Sequence, residues 1–245
     1  YEQAQAFQSP YIIDKAWMKN VVHVAGASEP GLALAIKNAL DRFKTVISDT
    51  FYGANVHTFT KTSTENVEQT TNTQLQNLFR EGLGIVTYFG HSSASTLEYN
   101  LDNPQTYDNQ GKYPLFILLG CNAGNFFNYN TLRLQTKETI SEKYVLADER
   151  GSIASIASTH LGIVHYLDIY NTKNYTGISS TKYGHTMGEN LIEAITETFN
   201  LTTQNDYYAR FHCEQATLHG DPALKINYLN KPDYAIEESL VKISP

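Results

Sequence analysis

The chain of 245 residues has only two cysteines, Cys121 and Cys213, and no C-x-x-C pair. A disulfide framework and a cysteine-rich zinc site are therefore excluded, because both need several cysteines at set spacings. We expect two independent thiols rather than one long-range disulfide, and we assign no transition metal. We expect Cys213 to be a packed helix residue, because apolar residues lie near it at helical spacing.

Clusters of positive charge and long apolar runs are also missing. The chain has 18 Lys and Arg against 25 Asp and Glu, a net charge of -7, and no basic cluster of the kind that binds nucleic acid. No apolar run approaches the roughly 20 residues of a membrane helix, and the start of the chain has no signal-peptide pattern. We expect no nucleic-acid partner and no membrane span in this chain.

What the sequence does have is an alternation of apolar runs and segments with helical spacing. The predicted strands are 20–26, 55–61, 84–90, 113–120, 151–158 and a last one at 222–229. The predicted helices are 31–43, 64–82, 136–148, 184–199 and 205–218. Such alternation favours a mostly parallel sheet covered on both faces. We therefore predict an α/β fold, a three-layer α/β/α sandwich.

We place the domain at residues 20–229, after a leading segment at 1–19. The closing residues 230–245, "NKPDYAIEESLVKISP", are typical of a linker into a following β domain. The polar start without Met and this ending together indicate a piece of a longer protein.

Two of the predicted strands end in glycine followed by a chemically useful side chain. "GIVTYFG" leads into His91, and "YPLFILLG" leads through Gly120 into Cys121. If the strands are parallel neighbours, both side chains emerge at the carboxyl edge, where open α/β sheets place their chemistry. A nucleophilic cysteine needs a base or imidazolium beside it, because the thiolate is the attacking form. The pattern predicts a Cys–His pair, with the N–H groups of Cys121 and Ser92 facing a developing oxyanion.

Each of these residues also has a plain structural interpretation. A cysteine that ends an apolar strand is often a small buried hydrophobic residue, and a histidine after a strand is often a surface loop residue. Their joint occurrence at matching strand ends is what favours catalysis.

The segments "GIVTYFGHSSASTLEYN" and "YPLFILLGCNAGNFFN" resemble the His and Cys motifs of the gingipain-type (C25) cysteine peptidases, bacterial enzymes of the caspase-like clan. "GSIASIASTHLG" and "CEQATLHGDPALKIN" are similar to later motifs of that family, so the resemblance covers roughly residues 20–230. It is strongest to the sortase-type C25 proteins of the type IX secretion system, in which the domain is part of a larger cell-surface chain followed by an immunoglobulin-like domain.

The resemblance implies a cysteine endopeptidase or transpeptidase with Cys121 as nucleophile and His91 as catalytic histidine. In such enzymes an acid after the first strand supports the histidine, and Glu29 stands where that acid is expected. Glu29 could equally be a solvated residue at a helix N-terminus, where a carboxylate is favourable. Ser92 departs from the family, which usually has glycine after the histidine, and this narrows the backbone freedom there.

The resemblance also places the substrate pocket in the loop after the strand that follows the cysteine, at Ser158, Thr159 and His160. Because that loop offers no acid, nothing favours Arg or Lys in the substrate. The long loop 92–112 is expected to form another wall, with Tyr99 and Tyr107 available for stacking.

The expected partners are a polypeptide substrate, such as the signal domains of secreted proteins, and other secretion-system components. The expected location is extracellular or at the bacterial outer-membrane surface. We expect no cofactor. A structural Ca²⁺ is compatible with family habit, and the loop of Asp102, Asp108 and Asn109 is where we would seek it.

The rival hypothesis is a catalytically silent C25-like module that binds secreted cargo or partner surface proteins. The two hypotheses differ in the reactivity of the Cys121 thiol. An unrelated α/β hydrolase is disfavoured, because no G-x-S-x-G motif is present.

Overall fold

The computed structural model describes residues 15–48, 51–61, 73–127, 138–203 and 205–226. Six strands form one sheet: β1 (Asn20–Gly26), β2 (Asn55–Thr60), β3 (Ile85–Gly90), β4 (Leu115–Leu119), β5 (Ala154–Ser158) and β6 (Ala216–His219). The order in the sheet is β2-β1-β3-β4-β5-β6. The first five strands are parallel, and β6 pairs antiparallel with β5. The predicted α/β fold with a mostly parallel sheet is confirmed.

The helices are α1 (Pro30–Ser48), α2 (Thr73–Glu81), α3 (Ile140–Val145), α4 (Val164–Thr176), α5 (Met187–Leu201) and α6 (Tyr207–Gln215). A π-helical turn (Gly177–Thr181) extends α4, and 3-10 turns occupy Ala16–Lys19 and Pro104–Thr106. None of the described helices is long and apolar enough to cross a membrane.

The two faces of the sheet bury separate apolar cores. Val21 and Phe89 face a layer that includes α1, α4 and α5, whereas Val22 and Val86 face α2, α3 and the loop after β3. This division follows from the strand period of two, which sends alternate side chains to opposite faces. Strands buried on both faces are typical of parallel sheets, which is why the apolar runs in the sequence are nearly continuous.

The end of the domain differs from the sequence-based prediction. Residues 222–226 are not a strand, and 227–229 lie outside the described residues. The edge strand is instead β6, the last part of the segment that we predicted as helix 205–218, and its Leu218 pairs with Ile156 of β5. Leu224 and Ile226 are buried but do not pair with a strand. The carbonyl of Leu224 accepts a hydrogen bond from Met187 N at the start of α5 instead (2.7 Å).

Helix boundaries differ as well. The segment we treated as a loop after β5 continues into α4 from Val164. Of the predicted helix 136–148, residues 136 and 137 lie outside the described residues, and the helical part of the rest is α3. It begins after a capping box formed by Thr139 and Glu142. Of the predicted helix 64–82, residues 73–81 are helical, and 64–72 lie outside the described residues.

A buried polar cluster ties α4 to the centre of the sheet. The Tyr175 hydroxyl lies 2.6 Å from Thr87 Oγ1 and 3.1 Å from His23 Nε2, and all three side chains are fully buried. Burial lowers the pKa of His23 from 6.5 to about 3, because the charged imidazolium loses its hydration. His23 is therefore neutral in the folded protein at physiological pH.

Candidate active site

The register of the sheet brings the two motif residues to the same edge. β3 and β4 are parallel neighbours, with Phe89 opposite Leu119 as the last pair. Gly90 and Gly120 follow this last pair, and His91 and Cys121 are the next residue of each segment. The prediction that the two residues emerge together at the carboxyl edge is thus consistent with the sheet topology.

Glycine is required at these strand ends because the backbones approach closely. A Cβ at Gly120 would lie 2.2 Å from Ser92 Oγ and 2.6 Å from Gly90 O, and a Cβ at Gly90 would lie 2.3 Å from Gly26 O. Any side chain would therefore force the segments after β3 and β4 apart.

Glu29 approaches His91 from the segment between β1 and α1. The distance between His91 Nε2 and Glu29 Oε2 is 3.5 Å, and the two side chains are 49% and 72% exposed. At that length and exposure the contact orients the imidazole only weakly, because solvent screens the ion pair. It also leaves Nδ1 as the ring nitrogen that the carboxylate does not engage.

The backbone at His91 is held by Tyr88, a residue that the sequence analysis did not single out. The His91 N–H donates to Gly26 O (2.9 Å), and the buried Tyr88 hydroxyl donates to His91 O. That hydroxyl also accepts from Glu98 N (3.1 Å). Burial raises the pKa of Tyr88, which keeps the hydroxyl a neutral donor. The signal for it in the sequence was a tyrosine within a mainly apolar strand.

Cys121 is a free, partly exposed thiol at the start of a tight turn. Asn122 follows it with a φ of 59°, a left-handed conformation that Asn tolerates better than most residues. The N–H of Asn122 donates to His160 O (2.8 Å), and that of Gly124 donates to Ser158 O (3.0 Å). The turn is therefore attached to the segment that follows β5.

The thiol itself receives a hydrogen bond from that same segment. The N–H of Gly162 donates to Cys121 Sγ at 3.3 Å. Sequence reasoning missed this donor, because a backbone group 41 residues away in the chain carries no sequence signal.

Ser92, the departure from the family pattern, connects the two motifs. Its hydroxyl donates to Cys121 O at 2.8 Å. Ser92 also forms an isolated bridge with Leu97. The hydrogen bonds of this bridge use the N–H groups of Ser93 and Glu98, so the N–H of Ser92 points to the other side of the segment. The serine side chain thus links the segments after β3 and β4 by a hydrogen bond that glycine could not make.

The three predicted pocket residues lie in consecutive positions next to the cysteine turn. Ser158 is 4% exposed and ends β5, and Thr159 is half-buried, with its N–H bonded to Gln215 O (3.0 Å). His160 is exposed, and its Nδ1 accepts from Leu161 N (2.7 Å). None of the three carries a carboxylate.

The prediction for Tyr99 and Tyr107 was wrong. The two side chains are 3% and 2% exposed, and Tyr107 stacks on Phe79 with ring centroids 4.2 Å apart. They bury the loop after β3 against α2, because large aromatic rings gain more from a core than from solvent. They are not accessible for stacking on a substrate.

The loop considered for Ca²⁺ has an amide that is already engaged. Asn109 is buried, and its side chain bonds the backbone of Gly151 (2.9 and 3.0 Å) and Lys112 O (3.0 Å). Within the described ranges, no three His, Cys, Asp or Glu residues are grouped so as to hold a metal ion. A surface cavity of about 490 Å³ beside Asp102 and Lys143 includes neither His91 nor Cys121.

The second cysteine has a different environment. Cys213 is 4% exposed within α6, and burial raises its pKa to about 11. It is a packed helix residue, as predicted, and the structure has no disulfide between it and Cys121.

β3 and β4 are parallel neighbours, and the chain leads from them into Gly90-His91 and Gly120-Cys121. The sequence profile of Peptidase family C25 matches residues 2–227, and the chain therefore belongs to this family of cysteine peptidases. A search of curated proteins finds no match.

Solved structures agree on the fold. The chain is similar to the Arg-specific cysteine proteinase gingipain R (RgpB), with a TM-score of 0.70 at 15% identity, covering 94% of this chain and 52% of that one. It is also similar to a chain of the complex of Porphyromonas gingivalis RgpB pro- and mature domains. That match has a TM-score of 0.70 at 13% identity and covers 94% of this chain and 53% of that one. A structure described only as a protease matches with a TM-score of 0.71 at 14% identity, covering 91% of this chain and 52% of that one. The chain spans about half the length of these structures.

Proposed function

We propose that this chain is a cysteine peptidase or transpeptidase domain in which Cys121 and His91 form the catalytic pair. The observation that carries the proposal is the placement of both residues at adjacent strand ends, with Glu29 3.5 Å from His91 Nε2. Membership of Peptidase family C25 supports it.

The reaction follows from the chemistry of a thiolate next to an imidazolium. The Cys121 thiolate attacks the carbonyl carbon of a peptide bond, and the oxyanion that forms accepts hydrogen bonds from the N–H groups of Ser92 and Cys121. His91 gives its proton to the leaving amine as the C–N bond breaks, which leaves a thioester. Water or an amine then attacks the thioester carbonyl, and His91 takes up the proton of that nucleophile. The C–S bond breaks, Cys121 leaves as the thiolate, and the thiolate–imidazolium pair is restored.

Hydrolysis and transpeptidation differ only in the nucleophile of the second step. The similarity to sortase-type proteins favours an amine acceptor, and the substrate that we propose is a secreted polypeptide such as one bearing a signal domain. The corresponding location is the cell surface, in a complex with other secretion components.

We propose that the chain does not share the Arg specificity in the name of its structural neighbour gingipain R. Recognition of an Arg guanidinium in a pocket calls for a carboxylate, and Ser158, Thr159 and His160 provide none. A small or polar side chain fits this wall instead.

Incubating the chain with an unbiased peptide library, with and without an added amine such as triglycine, tests the proposal. Mass spectrometry should find cleaved peptides, or peptides joined to triglycine, that are absent with Cys121→Ala. Products confined to Arg or Lys sites would contradict the specificity proposal. Products that persist with Cys121→Ala would contradict the mechanism.

One observation favours the silent binding module as a second candidate. Ser92 replaces the glycine that usually follows the histidine in the family, and its hydroxyl is engaged at Cys121 O (2.8 Å), so the local backbone is less adaptable. The second candidate predicts no Cys121-dependent product from the library and binding of cargo that survives Cys121→Ala.

A further inference from the structure

We propose that the Gly162 N–H stabilises the thiolate of Cys121, and that His212 and Gln215 are positioning residues that hold this donor in place. The proposal rests on the proposed function, because it concerns the nucleophile of that site. It assigns a role to α6, which carries none of the residues expected to be catalytic.

The donor is well placed for the sulfur. The Gly162 N–H donates to Cys121 Sγ at 3.3 Å, and a hydrogen bond to a charged acceptor favours the charged form. The segment that carries it lies against the turn at Cys121. A Cβ at Gly162 would approach Leu167 Cδ1 to 2.7 Å and Gly120 O to 3.1 Å. Glycine at 162 therefore allows the close approach that brings the N–H to the sulfur.

The residues on each side of Gly162 are bonded to α6. Gln215 Nε2 donates to Leu161 O (2.8 Å), and the Ile163 N–H donates to His212 Nε2 (2.8 Å). Both anchoring side chains are buried, at 5% and 2% exposure. Leu161 and Ile163 are exposed on the surface, so apolar packing of their side chains does not fix the peptide between them. It is held by these two hydrogen bonds and by those that the Ile163 carbonyl accepts from the N–H groups of Tyr166 and Leu167 (both 3.0 Å).

His212 can hold Ile163 only in one protonation state. Its Nδ1 donates to Tyr208 O (2.6 Å), so Nε2 is the acceptor and the ring is neutral. Tyr166 stacks on the ring at 5.3 Å, which limits its rotation. A protonated His212 would present an N–H to the Ile163 N–H, and the anchor would be lost.

Several titratable groups surround this histidine. They are Asp206 at the N-cap of α6, the neighbouring Cys213, and Tyr166 and Tyr170 on α4. Burial lowers the pKa of His212, and the Asp206 carboxylate opposes that effect. Asp206 is itself engaged, by the N–H groups of Tyr208 and Ala209 and by the Tyr166 hydroxyl. The neutral form of His212 is thus favoured at neutral pH.

The test compares two amides of different length at position 212. The amide of His212→Asn reaches as far as Nδ1 and can replace the bond to Tyr208 O, but it does not reach Ile163. The amide oxygen of His212→Gln reaches the place of Nε2 and can accept from Ile163 N. Gln215→Met removes the other anchor at similar volume, and the exposed His165→Asn is the control.

The measurement is the rate of iodoacetamide alkylation of Cys121 against pH, followed by mass spectrometry, with Cys213 as a monitor of unfolding. We expect His212→Asn and Gln215→Met to slow alkylation about tenfold at pH 7 and to move the midpoint of the pH curve up by about one unit. His212→Gln should stay within about threefold of the parent chain, and His165→Asn should match it.

An unchanged curve in folded His212→Asn and Gln215→Met would overturn the proposal, as would an equal loss at every pH without movement of the midpoint. Should His212→Asn expose Cys213 by unfolding, Gln215→Met alone decides. His91→Ala separates this inference from the proposed function. A curve that responds to His91 but not to α6 refutes only the inference, and the reverse refutes only the Cys–His pair.

Discussion

Cysteine and histidine occur together at two places in this molecule, and the two places differ in almost every physical respect. His91 and Cys121 follow neighbouring parallel strands, where both are partly exposed. His212 and Cys213 are consecutive in α6 and are 2% and 4% exposed. His91 and Cys121 lie at an accessible edge of the sheet, whereas His212 and Cys213 are part of the buried interior.

The difference shows that residue type alone does not make a nucleophile. Burial raises the pKa of Cys213 to about 11 despite a hydrogen bond with Thr198, so its thiolate is scarce at neutral pH. Both ring nitrogens of His212 are engaged by backbone groups. Cys121 instead receives a backbone N–H at its sulfur. Access and backbone donors, rather than sequence proximity to a histidine, separate the two sites.

The largest effect is expected from removing one thiol or the other. Cys121→Ala should lower turnover of a library-derived peptide by roughly 10³-fold or more, because no other group forms the thioester. The matched variant Cys213→Ala should keep turnover within about twofold and lower the free energy of unfolding by about 1–2 kcal/mol, since it leaves a small cavity. Peptide turnover and urea unfolding measure the two effects. Equal loss of turnover in both variants would contradict the claim that Cys121 is the nucleophile and Cys213 only a packed residue.

Replacing the histidine at the edge should have the next largest effect. His91→Ala should reduce turnover by about 10²–10⁴-fold, because the leaving amine loses its proton donor. The exposed His165, replaced by Asn, serves as the control and should leave kcat/KM unchanged. Turnover by His91→Ala at the parental rate would exclude His91 as the general acid.

Glu29 should contribute less than either. Glu29→Gln should reduce kcat/KM only about threefold to tenfold, because the contact with His91 is 3.5 Å long and largely exposed. The deficit should shrink at high salt, where the ion pair is already screened. A deficit that does not change between about 0.05 and about 1 M NaCl, roughly a twentyfold range in ionic strength, would mean that Glu29 acts through something other than its charge.

The buried His23 should make the free energy of unfolding depend on pH. His23 has a pKa of about 3 when folded and 6.5 as its ordinary value, so the unfolded chain binds more protons between these values. Stability is therefore full above pH 6.5 and falls as the pH drops towards 3. From pH 7 to 5 the loss due to His23 should be about 2 kcal/mol. Urea unfolding of the parent and of His23→Gln measures it. Parallel pH slopes for the two proteins would contradict this account.

The sequence predicted the sheet and the two strand ends that carry His91 and Cys121, because the signals for both are local. Apolar runs ending in Gly90 and Gly120 need only a few neighbouring residues to be interpreted, and parallel pairing follows from the alternation of strands and helices. Since β3 and β4 are parallel neighbours, the segments that begin with His91 and Cys121 leave the sheet at the same edge.

The parts that were missed or wrong depend on contacts between distant residues. Tyr99 and Tyr107 look like accessible aromatic residues in a polar loop, and only packing against α2 shows that they are core. The bond between Ile163 and His212 joins residues 49 positions apart. β6 was assigned to the preceding helix because its pairing with β5 has no sequence pattern of its own.

The most direct test of the central claim is the alkylation rate of Cys121 and Cys213 by iodoacetamide in the same folded sample at pH 6.5, with and without His91→Ala. We predict that Cys121 reacts at least about tenfold faster than an ordinary peptide thiol, that Cys213 is protected, and that His91→Ala abolishes the advantage. If Cys121 reacts no faster than an ordinary thiol, and if His91→Ala leaves its alkylation rate unchanged, the edge is not an assembled Cys–His site. The binding-module candidate then takes its place.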